Sequence, residues 1–187
     1  TYRTRYAEFL KMDFPRLLPA WYRRDADCLA CNYAVRRDGR IVAVVGAFPT
    51  TWHLDGTRLR LAGIGGVSTD PACRAGGLMS RLMTRVVADL RDGGCDVSHL
   101  GGQRQRYGYF GYERCGVELG VHLNRRNMRD AWRDTATPIA LAPLDDSDAP
   151  TLARLHRLHD RQLSRCARPA ARFAAFLRHW SCVPLVG

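Results

Sequence analysis

The chain has 187 residues, 46% of them hydrophobic, and a formal net charge of +11, which suits one full domain or one domain and part of another. No window holds eighteen uncharged apolar residues, so a membrane-spanning helix is excluded. The basic residues, arginines in every case but Lys11, are spread along the chain. That spread argues against a nucleic-acid-binding domain, while a basic excess still favours anionic partners such as phosphorylated cofactors.

The opening, TYRTRYAEFLK, has no initiator Met and no apolar leader, and the chain stops in the apolar run Val183–Gly187. A trimmed or partial chain is therefore expected. Residues 5–24 carry apolar positions at Phe9, Met12, Leu17, Leu18 and Trp21, broken by Pro15 and Pro19, and read as short helices. Cys28-Leu29-Ala30-Cys31 is a CxxC without a second pair at zinc-finger spacing. With seven cysteines irregularly placed, the reading is buried thiols in a reducing cytoplasm, with no metal site.

A strand is expected around Asn32–Arg36, a turn at Asp38-Gly39, and a buried strand over Arg40–Phe48 (RIVAVVGAF). After Pro49, Trp52–Leu54 and Arg58–Leu61 flank Asp55-Gly56-Thr57, a hairpin signal. The second arm runs on as LAGIGGVST to Asp70-Pro71. Leu78, Leu82, Val86 and Leu90 then recur every four residues, one face of a helix closed by Gly93-Gly94. Cys95–Leu100 reads as a short strand, Arg106–Gly111 as a compact helical turn, and Val117–Leu123 as another strand. Asn124–Pro138 is polar and reads as a linker. Beyond it a short strand precedes a helix with Ser147 or Asp148 as N-cap and Pro150 in its first turn. Ala170–Trp180 reads as a second helix. Strands flanking one long helix give an α/β or α+β class with a mixed sheet.

The chemistry centres on TDPACRAGGLMSRLM, where a strand passes into a helix through Arg74-Ala75-Gly76-Gly77. A helix entered this way exposes its unpaired N-terminal N–H groups, and with the helix dipole they form an anion site. Small residues at 75–77 let a phosphate reach the backbone, and Arg74 adds a positive charge. Glycines also serve a merely tight turn. GxxxxGK[ST], GxSxG and HExxH are absent, and Gly63–Ser68 lacks the last glycine of GxGxxG.

This segment resembles motif A of the GCN5-related N-acetyltransferase (GNAT) superfamily, Q/R-x-x-G-x-G/A after a strand ending V-x-V-x-P. Here those positions are Val67–Pro71 followed by Arg74–Met79. Met79 stands where the family usually has Gly or Ala, although the Eis-like branch tolerates bulk there, and its RRRGLLRxLM-type motif is close to RAGGLMSRLM. Tyr107-Gly108-Tyr109-Phe110-Gly111-Tyr112 is similar to the family's (F)Y-x-x-x-G-[FY] segment.

The resemblance implies a mostly antiparallel central sheet splayed between two strands and flanked by helices. Residues 1–125 would form an acyl-CoA-binding N-acetyltransferase domain, 126–138 a linker, and 139–187 the incomplete opening of a second GNAT-like unit. The implied reaction moves the acetyl group of acetyl-CoA, the acyl-donor cosubstrate, to a primary amine of a small molecule or peptide. Val67, Ser68 and Thr69 would pair with the pantetheine arm, and Arg74, Ala75, Gly76, Gly77, Leu78 and Met79 would hold the pyrophosphate. Tyr107 would protonate the departing thiolate, its alternative being an aromatic packed on the sheet.

Many members of the family carry a Glu in the strand before motif A, but LAGIGGVST has no acid. In the Eis-like branch the C-terminal carboxylate serves as base. His99 is the nearest titratable candidate here, its alternative being a strand-end histidine bonded to backbone. His53 is a weaker candidate. His156 and His159 lack a third ligand and read as helix surface. Trp21, Tyr22 and the Gly101–Arg106 loop are the candidate acceptor lining. A homo-oligomer is an expectation of the same kind, and the competing reading is a non-catalytic acyl-CoA-binding module of the same fold.

Overall fold

The computed structural model describes residues 30–117, 124–133, 142–145, 147–178 and 185–186. The helices expected at 5–24, Trp21, Tyr22, Cys28, Trp180 and the strand at 117–123 beyond Val117 lie outside the described residues.

Two hairpins built on left-handed turns start the fold. β1 (Asn32–Arg37) and β2 (Arg40–Leu54) are joined by Asp38 (φ 50°) and Gly39 (φ 72°); β2 and β3 (Thr57–Thr69) are joined by Asp55 (φ 45°) and Gly56 (φ 79°). Positive φ at both central residues matches the twist of paired strands, which is why Asp-Gly closes both. β3 passes through a short 3-10 turn, Pro71–Cys73, into α1 (Leu78–Asp92), and β4 (Val97–Leu100) comes next. The sheet order is β1-β2-β3-β4, antiparallel except for the parallel β3–β4 pair. The strand expected over Arg40–Phe48 and the hairpin arm expected at Trp52–Leu54 are one strand, β2, which runs unbroken through Pro49. Ala47 N–H points to the β1 edge, donating to Cys31 O at 2.8 Å. Pro49, two residues on, turns its ring nitrogen the same way. There the edge carries neither β1, which ends opposite Gly46, nor β6, which begins opposite Trp52. A missing N–H costs no ladder bond in that gap.

The core lies between α1 and one face of the sheet. Leu78, Leu82, Met83 and Val86 pack on Ala43, Val45, Ala47 and Ile64, with Tyr107 closing one end. Met83 and Val86 are fully buried, so the four-residue repeat marks the buried stripe as expected.

The distal half adds α2 (Arg104–Tyr107) with a 3-10 turn at Gly108–Phe110, then α3 (Arg125–Ala131), β5 (Ala142–Pro143), α4 (Ala149–Asp160), β6 (Ser164–Cys166), α5 (Phe173–Leu177) and β7 (Leu185–Val186). α3 occupies part of the polar stretch expected to be a linker. Asp148, one of the two N-cap candidates, accepts from Thr151 N–H at 3.0 Å. His156 and His159 do not face solvent as an ordinary surface pair. Their Nε2 atoms bond the carbonyls of Arg168 (2.7 Å) and Cys166 (2.9 Å), pinning the returning chain to α4. That segment brings β6 against Trp52–Leu54, so residues beyond 160 complete the sheet edge of the first hairpin.

Among the described residues no helix is long and apolar enough to cross a membrane, and no group of three or more His, Cys, Asp or Glu is placed to hold a metal ion.

Candidate functional site

β3 and β4 part company halfway. Their pairing runs from Leu61–Val97 to Ile64–Leu100 and stops, while β3 continues to Thr69. Just beyond the parting, β3 gains one residue against β2. Gly65 faces Gly46 and Ser68 faces Val44, so Gly66 (φ 60°) and Val67 together oppose Val45. Such a bulge bends the strand and re-aims its last residues. The end of β3 is then fixed by Asp70, whose N–H donates to Val42 O (2.8 Å) and whose carboxylate accepts from Ala72 N–H (3.0 Å).

From this anchor the chain crosses to α1 in a loop with two left-handed residues, Ala75 (φ 65°) and Gly77 (φ 65°). Gly77 is the N-cap and supplies no side-chain bond; Arg81 N–H, reaching Gly77 O at 3.0 Å, is the first to donate into the turn. Among the described residues nothing caps the N–H groups of 75–80. Leu78, buried at the start of α1, holds them in place. A left-handed alanine is unusual and costs on the order of 1 kcal/mol, strain of the kind that gathers at binding loops.

These N–H groups face a cavity of about 690 Å³ walled by residues 67–69, Cys73, residues 74–80 and Arg106. No wall residue is acidic. Ser68, 8% exposed, has a buried hydroxyl with no hydrogen-bond partner among the described residues. That hydroxyl lies on the face of the sheet shared with Val44, its cross-strand neighbour, and a buried hydroxyl without a partner costs about 1–3 kcal/mol. The cavity walls, with two arginines and no acid, suit an anionic ligand.

A second cavity, about 640 Å³, is walled by β4, residues 102–104, Tyr107, residues 112–116, Trp52, Leu61 and Cys166. Tyr107 is 8% exposed and meets Tyr112 edge-on, ring centroids 6.4 Å apart. Tyr112 accepts a 2.8 Å bond from the Ser98 hydroxyl, and burial pushes its phenol above the ordinary value while that bond pulls the other way. His99 faces Gly63 across the β3–β4 pair and is exposed. Glu113, the one carboxylate in these walls, is engaged by Arg104 at 2.9 Å, which holds its carboxyl below the ordinary value.

The residues singled out in the sequence thus fall into two neighbouring places. Val67, Ser68, Thr69 and Arg74–Met79 all wall the first cavity; Tyr107 and His99 wall the second. The Gly101–Arg106 loop divides, with 102–104 in the second cavity and Arg106 in the first. Sequence reasoning gave no role to the Ser68 side chain or to Tyr112 and placed Arg106 only in the acceptor lining. Ser68 was visible as a polar residue in an apolar strand, whereas which cavity Arg106 faces depends on how a four-residue helix packs.

The family model for the acetyltransferase (GNAT) domain matches residues 20–115, just over half of the chain. No curated protein matches it. Among solved structures, it is similar to a probable N-acyltransferase from Enterococcus faecalis (21% identity, TM-score 0.62), covering 82% of this chain and 40% of that one. A GCN5-related N-acetyltransferase from Anabaena variabilis aligns at 16% identity and TM-score 0.63, covering 92% and 43%. Eis1 from Mycobacterium abscessus aligns at 17% and 0.52, covering 93% and 45%. The chain thus spans about two fifths of the length of these proteins, and at such identities the likeness is one of fold.

Proposed function

Because the chain belongs to the GNAT acetyltransferase domain family, we propose that it transfers an acyl group, most simply acetyl, from acyl-coenzyme A to a primary amine. The observation that carries this reading is the uncapped start of α1, open to an acid-free cavity. Such a wall suits a ligand with a diphosphate and amide groups.

The N–H groups of the loop and first turn of α1 hold the diphosphate, with the helix dipole adding to the attraction. Backbone groups of 67–69, on the edge that β4 leaves at Ile64, pair with the pantetheine amides as an added strand. An N–H near Val67 stabilises the carbonyl oxygen of the thioester as it gains charge. The amine attacks the carbonyl carbon; a C–N bond forms, the C–S bond breaks, and the sulfur leaves as thiolate. Tyr107 gives that thiolate its phenolic proton. His99, in the same cavity as Tyr107, receives the proton the amine loses.

Similarity of RAGGLMSRLM to the Eis-like motif supports placing the chain in that branch. Residues 139–187 then open a second GNAT-like unit, whose β6 docks on the first sheet.

A second reading, acyl-CoA binding without turnover, is favoured by one observation: the single carboxylate in the second cavity is bound to Arg104. Calorimetry with coenzyme A and a thiol-release assay with acetyl-CoA against polyamines, aminoglycosides and peptide amines separate the readings. Amine-dependent thiol release supports the acyltransferase. Heat on binding without release across the panel supports the second reading, and no heat ends both.

A further inference from the structure

α2 carries two arginines, Arg104 and Arg106, on either side of Gln105, and they have different surroundings. Arg104 is committed to Glu113, with bonds of 2.9 Å and 3.3 Å to its carboxylate. Arg106 has no ion pair or side-chain hydrogen bond among the described residues, is exposed, and walls the first cavity together with Arg74. Arg74 is likewise unpaired there. Two uncompensated guanidinium groups and a row of free N–H groups thus border one cavity without a carboxylate. The next residue, Tyr107, walls the other cavity. A single step along the backbone therefore carries a cation on one side and a phenol on the other.

We propose that Arg106 is a ligand of the diphosphate of the acyl carrier, closing from α2 the anion site that the 74–80 loop forms from α1. This rests on the acyl-CoA reading above and assigns Arg106 as a specificity residue for phosphorylated carriers. Guanidinium and phosphate pair strongly because both oxygens of one face are met by parallel N–H donors. Binding the carrier between α1 and α2 also fixes the turn that bears Tyr107, so the diphosphate and the proton donor are held through adjacent residues.

The test is calorimetry on the full chain with three probes: coenzyme A, dephospho-coenzyme A and pantetheine. Arg106→Gln weakens coenzyme A and dephospho-coenzyme A alike, by about tenfold, and shifts pantetheine by less than about twofold. Arg106→Lys, which keeps the charge, recovers part of the loss. Because Arg106 is exposed, its variants melt with the wild type, which excludes a folding defect as the cause. The proposal is overturned by an equal loss for pantetheine, by no loss for coenzyme A, or by a loss confined to coenzyme A, which would place Arg106 at the ribose phosphate. Absence of heat from wild-type protein with coenzyme A defeats the underlying acyl-CoA reading, a result distinct from any variant effect.

Discussion

The ring of Tyr107 lies so close to the α-carbon of Gly102 that a Cβ there would stand 2.5 Å from its Cε2 and 3.0 Å from its Cδ2. The space for the phenol is therefore made by a missing side chain on the loop after β4. Gly102→Ala must displace the ring, at a cost of about 1–3 kcal/mol in stability. Turnover should fall in Gly102→Ala as it does in Tyr107→Phe, by about 10²-fold, with coenzyme A affinity retained in both. Steady-state thiol release beside calorimetry measures this. A Tyr107→Phe variant with wild-type turnover would remove the phenol from the reaction.

Gly77 separates strain from crowding. A Cβ there meets nothing within 4 Å, yet its φ of 65° is left-handed. Gly77→Ala should therefore cost about 1 kcal/mol without any clash. If the N–H groups it orients bind the diphosphate, coenzyme A affinity falls as well. Denaturant melts and titrations on the same samples report both quantities. A loss of stability with affinity unchanged would show the loop to be structural.

Much of this architecture could be read from residue order because it is set locally. Asp38-Gly39 and Asp55-Gly56 fix both hairpins through positive φ, and the spacing of Leu78, Leu82 and Val86 fixes the buried stripe of α1. The place of Arg74–Gly77 between a strand and that stripe was legible for the same reason. What escaped depends on distant partners. Pro49 ends no strand because β1 and β6 leave a gap on its edge, and β6 comes from a remote part of the chain. The histidines of α4 bond carbonyls that fold back onto them, a fact helical spacing cannot carry. That the Ser68 hydroxyl is buried without a partner among the described residues depends on the packing around it, which residue order does not carry.

α4 should weaken in acid. The Asp148 carboxylate accepts from Thr151, and these bonds hold its pKa below the ordinary carboxylate value. A group whose pKa is depressed by folding contributes its stability above the unfolded value and loses it as pH falls through the folded one. The contribution is thus complete at neutral pH and disappears below the ordinary carboxylate range. Asp148→Asn, which can still cap, should flatten that part of the stability–pH curve and meet the wild type below about pH 3. Helical signal tracked from about pH 7 down to about pH 2 spans that window; parallel curves would assign the acid sensitivity elsewhere.

Ser68→Ala should move stability and binding in opposite directions. In the free protein the hydroxyl is buried and unpaired, so its removal relieves a desolvation cost and leaves Val44, its cross-strand neighbour, in place. The free variant should melt at the wild-type temperature or higher, the gain being at most about 1–3 kcal/mol. If carrier binding opens a path to the hydroxyl and a polar group of the carrier meets it, the variant should bind coenzyme A severalfold more weakly, a neutral hydrogen bond being worth about 1 kcal/mol. The stabilisation by saturating coenzyme A shrinks accordingly. Melting curves with and without coenzyme A therefore cross between the two proteins. A serine kept for packing alone would give curves that shift together, and Ser68 would then have no side-chain contact with the carrier.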